Sequence, residues 1–303
     1  MSKGERARAR NVREKVAAQR AAGRRAERRR RVLIASGGIS LVVVLAIVLV
    51  VVRPGLSPAS SAAPGAATGT AAQDAAVARE VTSVPAATFD SVGAGTATGL
   101  TATTGQPLLT SGGKPEVLYM GGEYCPFCAA ERWALAAALS RFGTFTGLSL
   151  IHSSPTDVYA STPTLSFHGS GYTSNYVSFT PVEWFGEAAD ASTPFGHAYL
   201  EQPTSQEAAL FSKYAGESIP FVDIGNRYLL PQTQYVPSAL QGMSWSQVAA
   251  AMRTPSSPVA RDIDGAANVI TAAICNITNG QPGGVCSSAG VTAASGSLHP
   301  QAS

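Results

Sequence analysis

The sequence contains none of the short motifs that mark the common nucleotide-dependent and hydrolytic enzymes. It has no P-loop, no GxGxxG stretch and no recognisable Ser/His/Asp arrangement. Its four histidines, His152, His168, His197 and His299, do not have the spacing of metal ligands. Phosphate-loop chemistry, dinucleotide binding and serine hydrolysis therefore have no support in the sequence, and neither a metal nor an organic cofactor is predicted.

Cysteine is scarce, with four residues in a chain of 303: Cys125, Cys128, Cys275 and Cys286. A four-cysteine zinc site usually needs two close pairs, whereas Cys275 and Cys286 are eleven positions apart. We expect these two to form a structural disulfide that pins a loop rich in Gly and Pro to the last helix. A second redox pair that exchanges with the first is the alternative.

Negative charge is rare in residues 1–31, which carry 13 Lys or Arg against three Glu. This local balance of +10 exceeds the +3 of the whole chain, so residues 32–303 carry a net charge of −7. No aromatic residue lies between these arginines to stack on bases, so nucleic-acid binding is not predicted. The basic tail is instead predicted to be cytoplasmic, to set the topology and to touch anionic lipid.

Residues 32–52 carry no charge at all. A helix of this length, at about 1.5 Å per residue, matches a hydrocarbon core of roughly 30 Å. The sequence therefore predicts a single-pass anchor in the cell membrane, with a cleaved signal peptide as the alternative. The positive-inside rule places everything after Arg53 outside the cytoplasm, where disulfides persist.

The remaining chain is predicted to contain one domain. Residues 53–85 are rich in Ala, Ser, Pro, Gly and Thr and indicate a flexible linker. Residues 287–303 have a similar composition and indicate a disordered tail. Residues 86–286 hold the three Trp and most of the Phe and Tyr, enough for one core.

The local patterns in this domain indicate an α/β fold. Residues 116–120 form a short apolar run typical of a buried strand, and residues 126–143 form an Ala- and Leu-rich stretch typical of a helix. Residues 145–154 are predicted to form a second strand parallel to the first. Together they predict a right-handed βαβ unit.

The CxxC pair lies at the junction of this strand and helix. Cys125 at a helix N-terminus would face free N–H groups and the positive end of the helix dipole, which stabilise a thiolate. Cys128 is about one turn further on, close enough to resolve a mixed disulfide formed by Cys125. This arrangement favours thiol–disulfide exchange, and the alternatives are a structural disulfide or half of a metal site.

The stretch VLYMGGEYCPFC, followed by an amphipathic helix, resembles the start of proteins of the thioredoxin superfamily. SIPFVDIG resembles that superfamily's loop with a cis proline before a β-hairpin. The resemblance implies a cis Ile219–Pro220 bond, with Pro220 packed against Cys125 and the Ile219 backbone available to pair with a substrate strand. The longer stretch 113–145 is also similar to a family of uncharacterised, membrane-anchored prokaryotic domains, and this likeness covers most of residues 86–286.

The chain departs from the superfamily pattern in three ways. Cys125 and Pro220 are 95 positions apart, which implies an insertion over about 155–203. The position of the buried carboxylate that many thioredoxins use for proton transfer corresponds to Tyr119, which leaves Glu123 as a possible proton acceptor. The Pro-Phe pair between the cysteines supplies no cation beside the thiolate, so an intermediate redox potential is expected.

These features predict a membrane-anchored oxidoreductase that acts on cysteine-containing exported proteins and exchanges electrons with a membrane redox partner. Cys125 would attack, Cys128 would resolve, and the apolar side chains of Tyr124 and Phe127 would contact unfolded clients. One alternative is a non-catalytic binding or scaffold domain of the same fold. Another is a metal- or haem-handling thioredoxin relative from cytochrome maturation.

Overall fold

A computed structural model describes residues 68–216, 218–230 and 232–299. The predictions for the basic tail (1–31), for the anchor (32–52) and for residues 53–67 of the linker fall outside the described residues. Within the described residues, every helix is too short or too polar to cross a bilayer.

The described chain alternates strands and helices. The strands are β1 (Leu100–Ala102), β2 (Thr110–Ser111), β3 (Lys114–Gly122), β4 (Gly143–Thr146), β5 (Ser149–His152), β6 (Pro163–Ser166), β7 (Gly171–Ser174), β8 (Ser178–Ala189), β9 (His197–Tyr199), β10 (Phe221–Ile224), β11 (Tyr228–Leu230) and β12 (Leu298–His299). The helices are α1 (Ala71–Thr82), α2 (Ala86–Val92), α3 (Pro126–Leu139), α4 (Ser205–Tyr214), α5 (Trp245–Met252), α6 (Pro258–Ile277), α7 (Gly283–Cys286) and α8 (Ala289–Ala294).

An eight-stranded mixed sheet organises these elements. Its order is β12-β1-β11-β10-β3-β8-β9, and β2 pairs with β3 outside this path. β3 is parallel to β8 and β1 is parallel to β12, whereas the other pairs are antiparallel. The predicted α/β class is therefore confirmed.

Helices cover both faces of the sheet. Val117 and Tyr119 of β3 point to the larger core, which also contains the apolar sides of α3 and α6. Leu118 and Met120 point to the other face, where they pack with Phe211 of α4. Because β3 is buried on both faces, its sequence is apolar throughout its centre rather than alternating.

The strand and helix around the CxxC pair lie where the sequence predicts them. β3 ends at Gly122 and α3 begins at Pro126, whose fixed φ and missing N–H suit the first position of a helix. Trp133 is fully buried on α3 and donates its indole N–H to the Pro163 carbonyl at 2.9 Å. Three further helices, α4, α5 and α6, follow in the second half of the chain.

The second strand of the βαβ unit is β8, so the prediction of 145–154 was wrong. That segment contains β4 and β5, which pair with β7 and β6 in two separate two-stranded sheets. β8 lies inside the predicted insertion of 155–203, yet it pairs with β3 along most of its length. The added segment between α3 and its parallel strand is therefore residues 140–177. Local patterns identify strands but do not identify their partners.

Both ends of the domain contain more structure than their composition indicates. Part of the predicted linker 53–85 forms α1, which begins with a capping box between Thr70 and Gln73 and buries Val77 and Val81. Part of the predicted tail 287–303 forms α8, which packs on α2 and α6, and β12, which extends the sheet. A few buried Val residues and specific caps stabilise segments that their average composition marks as disordered.

The predicted disulfide between Cys275 and Cys286 is confirmed, with an S–S distance of 2.00 Å. It links the last turn of α6 to α7. The predicted hairpin over 219–230 is also present, because β10 and β11 are joined by Gly225 and Asn226, both at positive φ.

Candidate functional site

Cys125 occupies the N-cap of α3, and Cys128 lies in the first turn of the helix. The sulfur of Cys125 accepts a hydrogen bond from the backbone N–H of Cys128 at a distance of 3.3 Å. The sulfur therefore sits where the helix presents free N–H groups and the positive end of its dipole. Both cysteines are unbonded thiols in the structure.

The two thiols differ in acidity. Burial raises the pKa of Cys125, but hydrogen bonds from the thiol and amide of Cys128, together with the charge of Arg132, bring that pKa below its ordinary value. Burial raises the pKa of Cys128 well above its ordinary value, and the hydrogen bond that its thiol makes to Cys125 adds to the increase. Cys125 is therefore the more acidic of the two thiols and the one that ionises more readily.

The dithiol is nearly closed off from solvent. Cys125 keeps 5% of its surface exposed and Cys128 keeps none. The side chains packed around the pair are Tyr124, Trp184, Phe185, Phe195 and Ile219. Three of these belong to β8 and to the loop between β8 and β9, so a molecule that reaches Cys125 must displace part of this cover.

The Ile219–Pro220 segment lies beside the dithiol. Its peptide bond is cis, as the resemblance implied. The Ile219 carbonyl oxygen is 4.0 Å from the Cys125 sulfur, and Pro220 is buried. The structure thus brings together residues that are 94 positions apart in the chain.

The aromatic residues of the CxxC segment have different environments. Tyr124 is buried and stacks on the ring of His197, with ring centroids 3.7 Å apart. Phe127 is 37% exposed and meets Tyr159 edge to face at 5.6 Å. Phe127 is therefore presented to solvent beside the dithiol, whereas Tyr124 forms part of its cover.

Two carboxylates lie near the rim of the site. Glu123 accepts a hydrogen bond from the Ser166 hydroxyl at 2.6 Å, and within the described residues its carboxylate has no hydrogen bond to either sulfur. Glu187 lies on β8, where burial and the charge of Glu123 raise its pKa to about 7. The role of Glu123 as a proton acceptor stays a prediction, and Glu187 is a second candidate that sequence reasoning did not identify.

A buried ion pair lies next to the dithiol. Arg132 of α3 makes two hydrogen bonds of 2.7 Å to the carboxylate of Glu183 on β8, and both side chains are fully buried. The Pro-Phe pair itself supplies no cation, as expected from the sequence, but the charge of Arg132 acts on Cys125 from the next turn of the helix. One signal was available in the sequence, since Arg132 is four positions after Cys128 in a largely apolar helix and must share its face.

Tyr119 lies on β3, at the position that the resemblance to thioredoxins aligned with a buried carboxylate. It is fully buried, and its hydroxyl has no hydrogen-bond partner among the described residues. Burial raises its pKa well above the ordinary value, so it stays neutral and does not take the part of a carboxylate base. The guanidinium carbon of Arg132 lies 5.9 Å from the centre of its ring.

The comparisons with known proteins give one match. The family model described as "Domain of unknown function (DUF929)" matches residues 103–276, which is more than half of the chain and includes the CxxC pair and Pro220. No curated protein and no solved structure matches the chain. Within the described residues, there is no cluster of three or more His, Cys, Asp or Glu that could hold a metal ion.

Proposed function

The chain belongs to the DUF929 family, and from its site we propose that it is a membrane-anchored thiol–disulfide oxidoreductase acting on the cysteines of exported proteins. The observation that carries this proposal is the Cys125 sulfur at the N-cap of α3, which accepts the Cys128 N–H at 3.3 Å. A cysteine held in this way is activated as a nucleophile. A purely structural disulfide does not need a thiolate at a helix terminus.

The proposed reaction is a two-step exchange. The Cys125 thiolate attacks one sulfur of a client disulfide, so that a mixed disulfide forms and the other client sulfur leaves as a thiolate, which takes up a proton. Cys128 then loses its proton and attacks the Cys125 sulfur, releasing the second client thiol. The client gains two electrons from the two cysteines and two protons, of which Cys128 releases one and the solvent supplies the other because Cys125 reacts as a thiolate. The reverse sequence oxidises a client dithiol.

The arrangement of strands supports a thioredoxin-like fold as part of this proposal. β3, α3 and β8 form a parallel βαβ unit, and β10 and β11 add an antiparallel hairpin on the other side of β3. The CxxC pair follows β3, and the Ile219–Pro220 segment precedes β10. Residues 140–177 and β9, which pairs with β8, are additions to this core.

We place the domain outside the cytoplasm, anchored by residues 32–52. The uncharged segment and the preceding basic residues support this topology. The Cys275–Cys286 disulfide supports an oxidising compartment as well. The partners in this proposal are exported proteins with cysteines and a membrane redox partner that renews the oxidation state of the dithiol.

Trapping of mixed disulfides tests the proposed function. The full chain carrying Cys128→Ser is produced in cells, thiols are blocked by alkylation, and complexes sensitive to reduction are separated and identified by mass spectrometry. We expect clients joined through Cys125. The matched control, Cys125→Ser/Cys128→Ser, must lose them. The proposal is wrong if the single variant traps no more than the control and the wild-type dithiol catalyses no exchange.

The burial of the dithiol favours a second candidate function. With 5% of Cys125 exposed and none of Cys128, the pair is placed as a structural disulfide would be in a non-catalytic binding domain. Reduction potential separates the two candidates. A structural disulfide is expected below about −300 mV, whereas a catalytic one is easier to reduce. Titration of the full chain against glutathione and dithiothreitol buffers gives this value directly.

A further inference from the structure

The two members of the buried Arg132–Glu183 pair belong to the two elements that carry and cover the dithiol, α3 and β8. Arg132 follows Cys128 by four positions on α3, so the two side chains share one face of the helix. Glu183 lies on β8, two positions before Phe185, which packs on both cysteines. Because this charged pair is not exposed to solvent, its electrostatic effect on the sulfurs is screened only weakly.

The backbone contacts of Arg132 tie it to the turn that carries Cys125. Its Nη2 atom donates a hydrogen bond of 2.8 Å to the Gly122 carbonyl. The same carbonyl accepts the backbone N–H of Cys125 at 3.1 Å. The guanidinium, one peptide oxygen and the nucleophilic residue are therefore joined in one chain of contacts.

The guanidinium also has an unused donor. Its Nη1 atom is buried and has no hydrogen-bond partner among the described residues. Burial lowers the pKa of Arg132, but the charge and hydrogen bonds of Glu183 together with the charges of Tyr119 and Cys128 raise that pKa above its ordinary value, so the side chain stays charged. An ion pair with only a structural role does not need a buried donor that is left without a partner.

We propose that Arg132 is a positioning residue that stabilises the Cys125 thiolate, and that Glu183 is its counter-charge and limits this effect. This inference rests on the proposed function and adds the direction of electron transfer. A stabilised thiolate favours the dithiol state, which makes the disulfide state a better oxidant. Arg132 thus shifts the protein toward accepting electrons from clients.

In the favoured direction, a client dithiol reacts with the Cys125–Cys128 disulfide. One client thiolate attacks the Cys125 sulfur, the Cys125–Cys128 bond breaks, and Cys128 leaves as a thiolate that takes up a proton. The second client thiolate attacks the mixed disulfide and releases Cys125 as the thiolate that Arg132 stabilises. The client loses two electrons and two protons, and forms its disulfide.

The two residues of the pair give opposite predictions for the redox potential. Arg132→Met removes the positive charge, so the dithiol state is less favoured and the potential becomes more negative. Glu183→Gln keeps the shape and removes the opposing negative charge, so the potential becomes less negative. If the pair only holds α3 against β8, both variants lose thermal stability, and their redox potentials do not shift in opposite directions.

The experiment measures the potential of the Cys125–Cys128 pair in the full chain in detergent micelles, by glutathione titration with mass-spectrometric assignment of each cysteine. We expect a change of about tenfold or more in the equilibrium constant for each variant, about 30 mV per tenfold, with opposite signs. Arg132→Lys, which keeps the charge, is expected to shift less than Arg132→Met. Thiolate absorbance as a function of pH gives the matching shift in Cys125 acidity.

Arg141→Met is the matched control. Arg141 is a second largely buried arginine just after α3, bonded to Asn268 and Ser288, and sixteen positions from Cys125. At about 1.5 Å per helical residue it lies far from the dithiol. Its loss is expected to lower the thermal stability without changing the potential.

Shifts of one sign in Arg132→Met and Glu183→Gln, or shifts no larger than that of Arg141→Met, would overturn the inference. If Arg132→Met does not fold, the test uses Glu183→Gln and the neutral double variant Arg132→Met/Glu183→Gln. The inference is then overturned if both variants have the redox potential of the wild type. Failure of the proposed function is seen separately, as a wild-type protein that exchanges with no client while its potential is still measurable.

Discussion

Cys125 and Cys128 differ in chemistry although both lie in the first turn of one helix. The sulfur of Cys125 accepts hydrogen bonds, whereas Cys128 is fully enclosed and gives its proton to that bond. Their separation by three positions puts the donor and the acceptor on the same face of the helix. The difference in acidity is therefore a property of the turn rather than of either residue alone.

At the scale of the residue, alkylation of the reduced full chain by iodoacetamide is expected to modify Cys125 and to spare Cys128. The rate at Cys125 should rise with pH at a midpoint below the ordinary cysteine pKa of about 8.5, because thiolate is the reactive form. Peptide mass spectrometry after a timed reaction measures both sites. A free cysteine in an unfolded control of the same chain gives the reference midpoint. Equal labelling of the two cysteines would contradict the assignment.

The sequence was sufficient to predict the place of Cys125 at the start of a helix but not the ion pair. The cis Ile219–Pro220 bond was implied by the resemblance of its segment to the thioredoxin loop. Glu183 is 51 positions from Arg132, and only the pairing of β3 with β8 brings the two together. Because the sequence predicted residues 145–154 as the strand parallel to β3, it could not predict the contact between Arg132 and Glu183.

Elements with strong local signals were predicted well, and elements stabilised by contacts from distant parts of the chain were not. β3 has a continuous apolar core, and α3 has Pro at its first position and many good helix formers. α1 is poor in large apolar residues and depends on two valines packed against the rest of the domain. Composition averaged over 53–85 does not reveal such a small contact.

A core substitution in α1 tests whether this helix contributes to the domain. Val81 is 1% exposed, so Val81→Ala is expected to lower the free energy of unfolding by about 1–3 kcal/mol through lost burial. Arg79→Ala, at an exposed position of the same helix, is the control and is expected to have little effect. Urea unfolding followed by tryptophan fluorescence measures both. Equal stability of the two variants would mean that residues 71–82 behave as a linker.

The whole domain contains several buried carboxylates without full hydrogen bonding. Asp264 of α6 is fully buried, and neither of its carboxylate oxygens has a partner among the described residues. Burial raises its pKa to about 8, and burial likewise raises the pKa of Glu131 to about 7 and of Asp223 to about 6. These groups hold protons in the folded state that the unfolded chain has released.

This difference in proton binding sets the sign of the pH dependence. The folded pKa values of Asp264, Glu131 and Asp223 are above the ordinary values of 3.8–4.5. The contribution of these groups to the free energy of unfolding is therefore fully present below about pH 4. It falls as pH rises between about 4 and 8, and the loss is complete above the folded values. The domain is therefore expected to be more stable at pH 5 than at pH 8.

Asp264→Asn separates this contribution from the others, since Asn has nearly the same shape and no charge. We expect the variant to match the wild type near pH 4 and to exceed its free energy of unfolding by about 1–3 kcal/mol at pH 8, with a difference that grows between these values. Urea unfolding at four or five pH values measures the trend, and Asp262→Asn, two positions earlier on α6 at a half-buried position, is the control. A difference that is constant with pH would mean that Asp264 is ionised in the folded protein, and hence that Arg141 or solvent reaches it.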